Sequence, residues 1–223
     1  MKKLSMEERI QRMEDVHQIQ NLMGKYSYFH TADMQEETVG LWAKHTPDTW
    51  EDGPSFGYYE GYEGLRRCYV GAHQWRGEES RIGGMHLHTL TTPVIEVAAD
   101  GKTAKGVWIS PGHETGGPPG QKPQAFWAWL KYGADFIKEE GEWKFWHMRV
   151  FGIFFTPYDK GWVEFNIAEA EPLPEQFKPD KQTEYWTNYK PTAKTVLAPV
   201  PPEPYDTWDG KGCAGIKEKI DNK

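Results

Sequence analysis

Two histidines, His86 and His88, precede residues with the pattern of a β-hairpin. Residues 94–97 and 104–109 are strand-like runs, and the pair that begins at Asp100 supplies an Asp-Gly turn between them. Because alternate residues of a strand share a face, the two histidines should point the same way unless a bulge shifts the register. The spacing predicts imidazoles on the wall of a pocket. The alternative is one core histidine beside one surface histidine.

A second set of reactive side chains ends a helix predicted from Ser5 onward. Ser5 and Glu8 have the spacing of a capping box. Apolar side chains then recur every three or four positions, at Ile10, Met13, Val16, Ile19, Leu22, Met23, Tyr26 and Phe29. Tyr26, His30 and Asp33 continue this stripe, so they should share one face near the helix C-terminus. Either they form a reactive group, or they mark where the helix leaves the core.

Composition excludes several classes of protein. Lys and Arg total 26 against 33 Asp and Glu, a net charge of −7, which argues against nucleic acid or an anionic membrane as a partner. Two cysteines are too few for a disulfide framework. There is no signal-peptide pattern, no apolar run of ~20 residues, and no nucleotide-binding or serine-hydrolase motif. We expect a soluble cytoplasmic protein.

The remaining pattern indicates helices followed by antiparallel strands. After a short second helix, we predict a strand pair, a third helix, a Gly- and Pro-rich loop that contains His113 and Glu114, and two long strands. Their ranges are 34–43, 49–61, 62–75, 110–123, 124–138 and 143–155.

The 32 aromatic side chains suit a pocket for a flat organic ligand. We predict that a cyclic or aromatic substrate contacts Tyr28, Tyr58, Trp127, Trp129 and His147. His86 and His88 could instead hold a metal ion with His147 or Glu114, but a His-x-His pair alone is a weak metal signal.

Four stretches together resemble the SnoaL-like branch of the nuclear transport factor 2 superfamily, which includes scytalone dehydratase and bile-acid 7α-dehydratase. They are residues 24–33 (GKYSYFHTAD), 57–65 (GYYEGYEGL), 85–95 (MHLHTLTTPVI) and 141–147 (GEWKFWH). The resemblance covers about residues 8 to 162. It implies an α+β cone, in which a curved antiparallel sheet wraps against N-terminal helices around an interior pocket.

The dehydratases of this family use a Tyr and an Asp from the end of the first helix, and one or two strand histidines. If Tyr26 is laid on the family's Lys-Tyr pair, Thr31 stands where the Asp is expected. A Tyr followed five residues later by Asp is found only with Tyr28 and Asp33. The resemblance therefore implies that the orienting Asp is missing or displaced, with His30 in its place.

The expected function is that of a cofactor-independent dehydratase or isomerase acting on a cyclic, hydrophobic hydroxy or carbonyl compound. His86 or His88 would be the base or acid, Tyr26 an oxygen donor, and His30 with Asp33 orienting or second acid groups. We expect no cofactor and no metal. There are two alternatives. One is a non-catalytic binding protein, because the same fold also has members without enzymatic activity. The other is a metal-dependent oxygenase or hydrolase.

We predict that the chain has two segments, a cone domain over residues 1–162 and a Pro- and aromatic-rich extension over residues 163–223. The extension's aromatic residues are too many for a free tail, at Tyr185, Trp186, Tyr189, Tyr205 and Trp208. It should pack as an arm on its own domain or on a neighbour. Because family members commonly resemble dimers or trimers, we predict a homodimer or homotrimer in which the arm crosses onto the neighbouring subunit and helps close the cone mouth.

Overall fold

A long N-terminal helix opens the fold. The computed structural model describes residues 4–54, 56–117, 122–164, 172–183 and 187–215. Helix α1 (Met6–Thr31) starts at the predicted capping box, in which the Ser5 side chain accepts from the Glu8 N–H and the Glu8 carboxylate accepts from the Ser5 N–H. The predicted apolar stripe is wrong at its start, because Ile10 and Met13 are 50% and 73% exposed. The helix becomes buried only from Asp15 onward.

Two shorter helices follow. Helix α2 (Gln35–Val39) is shorter than predicted because the chain after it bonds to a strand, with the Phe145 N–H donating to the Leu41 carbonyl. Helix α3 (Gly61–Arg66) continues into a π-helical turn (Arg67–Ala72). Short 3₁₀ turns cover Glu78–Arg81 and Glu175–Phe177. No helix in the described ranges combines the length and apolarity that crossing a membrane requires.

The strands in the described ranges form one curved, mixed seven-stranded sheet in the order β2-β1-β7-β6-β5-β3, with β4 also paired to β5. Its strands are β1 (Trp50–Gly53), β2 (Gly57–Glu60), β3 (Met85–His88), β4 (Thr91–Val97), β5 (Thr103–Gly116), β6 (Gln124–Glu139) and β7 (Glu142–Pro157). All pairs are antiparallel except β1 with β7. The α+β class and the β4–β5 hairpin are confirmed.

The predicted loop 110–123 is wrong over its first half, because β5 continues to Gly116. The end of β5 has β6 on one side and β3 on the other, so its backbone is held in ladders despite the Gly and Pro content. Pro111 lies opposite the break between β3 and β4, where no ladder partner needs its missing N–H. This extension places Glu114 in register with His86.

The two faces of the sheet are covered differently. One face and the helices enclose the main core, which includes Tyr26, Trp42, Tyr132, Phe136 and Phe145. The extension from residue 187 onward covers the other face, which we call the arm face, while residues 172–183 pack along β2 and the π-helical turn. There the Cys213 N–H donates to Asp135 over 2.7 Å, and Tyr205 and Trp208 lie over Lys105.

The described part of the arm thus packs on its own domain, one of the two placements considered above, while a crossing to a neighbouring subunit that closes the cone mouth stays a prediction. The contacts that fix it are local to this chain: the Tyr189 N–H donates to the Ile153 carbonyl, and Lys181 pairs with Tyr58. Tyr185 and Trp186 lie outside the described residues. The homodimer or homotrimer stays a prediction.

Candidate active site

Four imidazoles meet at the C-terminal end of α1, and we call them the histidine cluster: His30, His73, His86 and His88. From the ring centroid of His30, the other three lie at 5.3 Å for His73, 6.5 Å for His86 and 5.8 Å for His88. The Ser27 hydroxyl donates to the His88 carbonyl over 2.8 Å, which ties β3 to α1. Three separate stretches of the chain therefore converge on one point.

Glu114 joins the two strand histidines. Its carboxylate oxygens lie 3.8 Å from His86 Nδ1 and 3.3 Å from His88 Nε2, so the two imidazoles share a face as the alternation predicted. Burial alone would raise the pKa of Glu114, but the two neighbouring imidazoles outweigh it and lower that pKa to about 2. The Glu114 carboxylate in turn raises the pKa of His86. His86 is therefore the imidazole favoured in its protonated form.

His30 is in the opposite electrostatic situation. Burial, followed by the neighbouring charges of His73, His88 and His86, lowers the pKa of His30 well below its usual value. Its ring stacks on Tyr26 at 5.7 Å between centroids, with 6° between the planes. Its Nδ1 is buried and has no hydrogen-bond partner in the described part of the chain. A neutral imidazole with an uncommitted nitrogen can accept a proton.

His73 follows the π-helical turn, and sequence reasoning missed it. Its Nδ1 lies 2.9 Å from the Cys68 carbonyl oxygen, and because a carbonyl only accepts, the proton of neutral His73 must be on Nδ1. Burial is the main cause that lowers its pKa, although the residue is also exposed to solvent. His73 is therefore packed among protein groups on one side and reaches solvent on the other. His86, 55% exposed with a pKa set by Glu114, fits the same description.

Two phenols lie behind the cluster. The Tyr69 hydroxyl lies 3.2 Å from the Tyr26 hydroxyl, and the Tyr69 ring stacks on His73 at 5.3 Å. Burial raises the pKa of both tyrosines well above the usual value, so both remain neutral hydrogen-bond donors. Tyr26 and His30 thus share a face, as the helical spacing predicted.

Asp33 lies beside the cluster but is bonded elsewhere. Its carboxylate pairs with Arg81 and accepts from the Gln74 amide over 3.1 Å. These contacts hold the Glu78–Arg81 turn against the end of α1. The catalytic role predicted for Asp33 stays a prediction, while its contacts are those of a clamp.

The five predicted substrate-binding residues are placed away from the histidine cluster. The Tyr28 side chain is 81% exposed. Tyr28 lies two residues after Tyr26 in the helix, and two residues rotate the side chain by more than half a turn, away from the face of Tyr26. The other four rings have partners outside the cluster. Tyr58 lies against Trp50, and Trp129 lies against Phe154. Trp127 contacts His113 and Tyr158, and His147 contacts Trp208 and Asp135. Strand parity puts Trp127, Trp129 and His147 on the face opposite the cluster, and nothing in the sequence pattern indicated which face was inside.

No group of three or more His, Cys, Asp or Glu side chains in the described ranges is placed to hold one metal ion. The imidazoles of the cluster instead stack or tilt against one another and against phenol rings.

Comparison with known proteins identifies the family. Residues 11–149 match the family model of the SnoaL-like domain, which is more than half of the chain. The chain belongs to the SnoaL-like family. No curated protein matches the sequence.

Solved structures show the same fold at low identity. A hexachlorocyclohexane dehydrochlorinase, LinA-type3 from Novosphingobium barchaimii, is 19% identical, with a TM-score of 0.52 over 69% of this chain and 96% of that chain. A candidate scytalone dehydratase from Novosphingobium aromaticivorans is 17% identical, with a TM-score of 0.53 over 75% and 99%. At these identities the likeness shows the nuclear transport factor 2 fold, and it leaves the reaction of this SnoaL-like protein to be argued from its own site.

Proposed function

We propose that this SnoaL-like protein is a cofactor-independent lyase that dehydrates a neutral, cyclic hydroxylated compound by acid–base chemistry. The observation that carries the proposal is a pair of imidazoles 6.5 Å apart in contrasting surroundings: His86 lies 3.8 Å from the Glu114 carboxylate, and His30 has a buried Nδ1 without a partner among the described residues. His30 is held neutral by burial, and His86 is favoured as an imidazolium by Glu114. A pair of titratable groups with separated pKa values provides a base and an acid at the same pH.

The proposed reaction is an elimination. Neutral His30 takes a proton from the carbon adjacent to a carbonyl, and the C–H electron pair passes into an enolate. The enolate then reforms the carbonyl, its C=C electron pair becomes the new double bond, and the C–O bond to the β-hydroxyl breaks. His86 donates its proton to that hydroxyl, so water departs. The Tyr26 phenol stabilises the enolate oxygen by donating a hydrogen bond. The 6.5 Å between the His30 and His86 rings leaves both within reach of neighbouring carbons of one substrate. Proton exchange with water then restores both histidines.

The charges around the cluster favour a neutral substrate. Glu114 is matched by the strand histidines, and Asp33 is matched by Arg81. A carboxylate or phosphate on the substrate would meet no uncommitted cation in the described part of the site. Stacked rings around the cluster favour a flat, cyclic ligand.

A panel of neutral cyclic β-hydroxy ketones tests this function, with formation of the conjugated enone followed by absorbance. The wild-type protein should release water from at least one member, and His86→Gln should reduce kcat by ~10²-fold or more. Tight binding of panel members without turnover would instead support a non-catalytic binding protein. Equal turnover by the wild type, His86→Gln and His30→Gln would refute the assignment.

A further inference from the structure

Glu51 is a buried carboxyl that the proposed reaction does not use. It lies in β1, is 1% exposed, and places Oε1 2.7 Å from the Tyr69 hydroxyl. Its Oε2 is buried and has no hydrogen-bond partner within the described ranges. The next residue, Asp52, faces the other side of the sheet and pairs with Arg149 at 3.0 Å. An ionised Glu51 would therefore lie in the core with the Tyr69 hydroxyl as its hydrogen-bond donor, whereas a neutral acid is much less costly to bury.

The protonation of Glu51 decides which way two phenols donate. Tyr69 lies between Glu51 and Tyr26, and each phenol has a single proton to donate. If Glu51 is a neutral acid, it donates to Tyr69, Tyr69 donates to Tyr26, and the Tyr26 proton is available to another acceptor. If Glu51 is a carboxylate, Tyr69 donates to it, and Tyr26 donates back to Tyr69. In that state the Tyr26 proton is engaged away from the site.

Both phenols also back the histidine cluster, since Tyr26 stacks on His30 and Tyr69 stacks on His73. We infer that Glu51 is a positioning residue which, as a neutral acid, orients the hydroxyls of Tyr69 and Tyr26 so that Tyr26 donates toward the substrate oxygen. The inference rests on the proposed function for the part played by Tyr26. The orientation of the two hydroxyls rests on the geometry alone.

The titration of Glu51 falls in an accessible range. Burial raises its pKa to about 8, against a lowering effect of the Tyr69 hydrogen bond, and Asp52 raises it further. The titratable groups that face or adjoin it from the surrounding elements are Tyr26 of α1, Cys68 and Tyr69 of the π-helical turn, Tyr59 of β2, Tyr132 of β6 and Asp52 of β1. Burial raises the pKa of the thiol and of each phenol in this set. Glu51 is therefore the group of this set expected to change charge near pH 8.

Tyrosine NMR on the full chain tests the switch without any substrate. The protein is labelled with ¹³C at the ring carbon that bears the hydroxyl, and the resonances are assigned from Tyr26→Phe and Tyr69→Phe. We expect both resonances to shift between about pH 7 and 9 with a common midpoint near that of Glu51. Because neither phenol ionises in this range, the shift should be far smaller than that of a phenolate. Glu51→Gln, which can donate at every pH, should abolish the titration.

Flat resonances in the wild type, or the same titration in Glu51→Gln, would overturn the inference. If Glu51→Gln does not fold, Tyr69→Phe decides the matter, since removing the middle hydroxyl should leave at Tyr26 only the smaller shift that the Glu51 charge causes directly. A Tyr26 titration of undiminished size in Tyr69→Phe also overturns it.

Turnover separates this inference from the proposed function. With a β-hydroxy ketone that the wild type dehydrates, kcat should fall in both proteins as His86 loses its proton, and above about pH 8 it should fall further in the wild type than in Glu51→Gln. Full activity of the His30 and His86 variants together with an intact tyrosine titration would refute the proposed reaction alone. Reduced activity of those variants together with tyrosine resonances that do not titrate would refute the hydroxyl orientation by Glu51 alone.

Discussion

The two faces of the sheet bury ionisable groups in contrasting ways. On the arm face, His147 Nδ1 lies 3.0 Å from Asp135 and Arg149 Nε lies 3.0 Å from Asp52, so each of these two carboxylates has a basic side chain beside it, although Asp52 Oδ1 itself has no hydrogen-bond partner among the described residues. On the helix face, Glu51 has a buried oxygen without a partner among the described residues, and His30 has a buried nitrogen in the same condition.

The contrast separates groups that hold the fold together from groups that are available for chemistry. The paired side chains on the arm face also bond to the extension. Asp135 accepts a hydrogen bond from the Cys213 N–H, and Arg149 donates one to the Ala214 carbonyl. On the helix face, unpaired buried groups cost stability, and they are found beside accessible imidazoles with shifted pKa values. Perturbing each face should therefore change a different property.

Removing the arm should have the largest effect on stability. Ending the chain after Trp162 exposes the paired charges and the apolar surface under Ala198 and Cys213, both buried in the intact chain. We expect a fall in Tm of about 10 °C or more, on the order of several kcal/mol for a domain of this size, measured by calorimetry. Light scattering on the same samples reports the oligomer size. An unchanged Tm and an unchanged oligomer would show that the arm is only a tail.

Breaking one buried pair on the arm face should cost less than losing the arm. Asp135→Ala leaves His147 and the Cys213 N–H without their carboxylate partner, and we expect a loss of about 3 kcal/mol in the free energy of unfolding by urea titration. The folded variant should keep its kcat. Glu142→Ala, whose side chain is 75% exposed, is the control and should change stability by about 0.5 kcal/mol or less. Equal effects of the two variants would contradict the role assigned to Asp135.

Changing the base on the helix face should reverse this pattern. His30→Gln should lower kcat by ~10²-fold or more, about 2.7 kcal/mol in activation free energy, with little change in Tm. His147→Gln on the arm face is the matched control, because it replaces a buried histidine whose Nδ1, unlike that of His30, has a hydrogen-bond partner. That control should lose stability and keep kcat within a few-fold. A similar loss of kcat in both variants would mean that the two faces are not functionally distinct.

The smallest expected effect is the pH dependence that Glu114 adds to stability. Its pKa is lowered to about 2 in the folded protein, so its contribution is present above about pH 4.5 and is lost as pH falls toward 2. The raised pKa of His86 gives a contribution that is present below about pH 6.5 and is lost as pH rises through the folded value. The pair should therefore stabilise most between about pH 4.5 and 6.5.

Urea titrations of the wild type and Glu114→Gln at several pH values measure this pair. Because the His86 side chain is 55% exposed, we expect the difference to be only about 1 kcal/mol at pH 5.5 and smaller at pH 8. Glu142→Gln serves as the exposed control. A difference that is larger at pH 8 than at pH 5.5 would show that the assigned directions are wrong.

Local periodicity correctly predicted several elements of the fold. The capping box and stripe placed α1, the Asp-Gly turn placed the β4–β5 hairpin, and alternation put His86 and His88 on one face. These features depend on residues within a turn of helix or a few positions of strand, so the sequence contains them directly. The same reasoning could not locate Tyr58, Trp127 or Trp129, because a strand's period does not tell which of its faces is buried.

What the sequence determined by itself was the pairing of neighbours: Tyr26 with His30 on a helix, and His86 with His88 on a strand. Only the tertiary structure decided which of these pairs meet, and it added His73 and Glu114 to them. Glu114 became a partner because the β3–β5 register sets it opposite His86, and register depends on contacts between distant parts of the chain. His73 joined because the π-helical turn and the packing of α1 bring two helix ends together. The arm lies where long-range hydrogen bonds with Asp135 and Arg149 hold it, and no local spacing encodes these contacts.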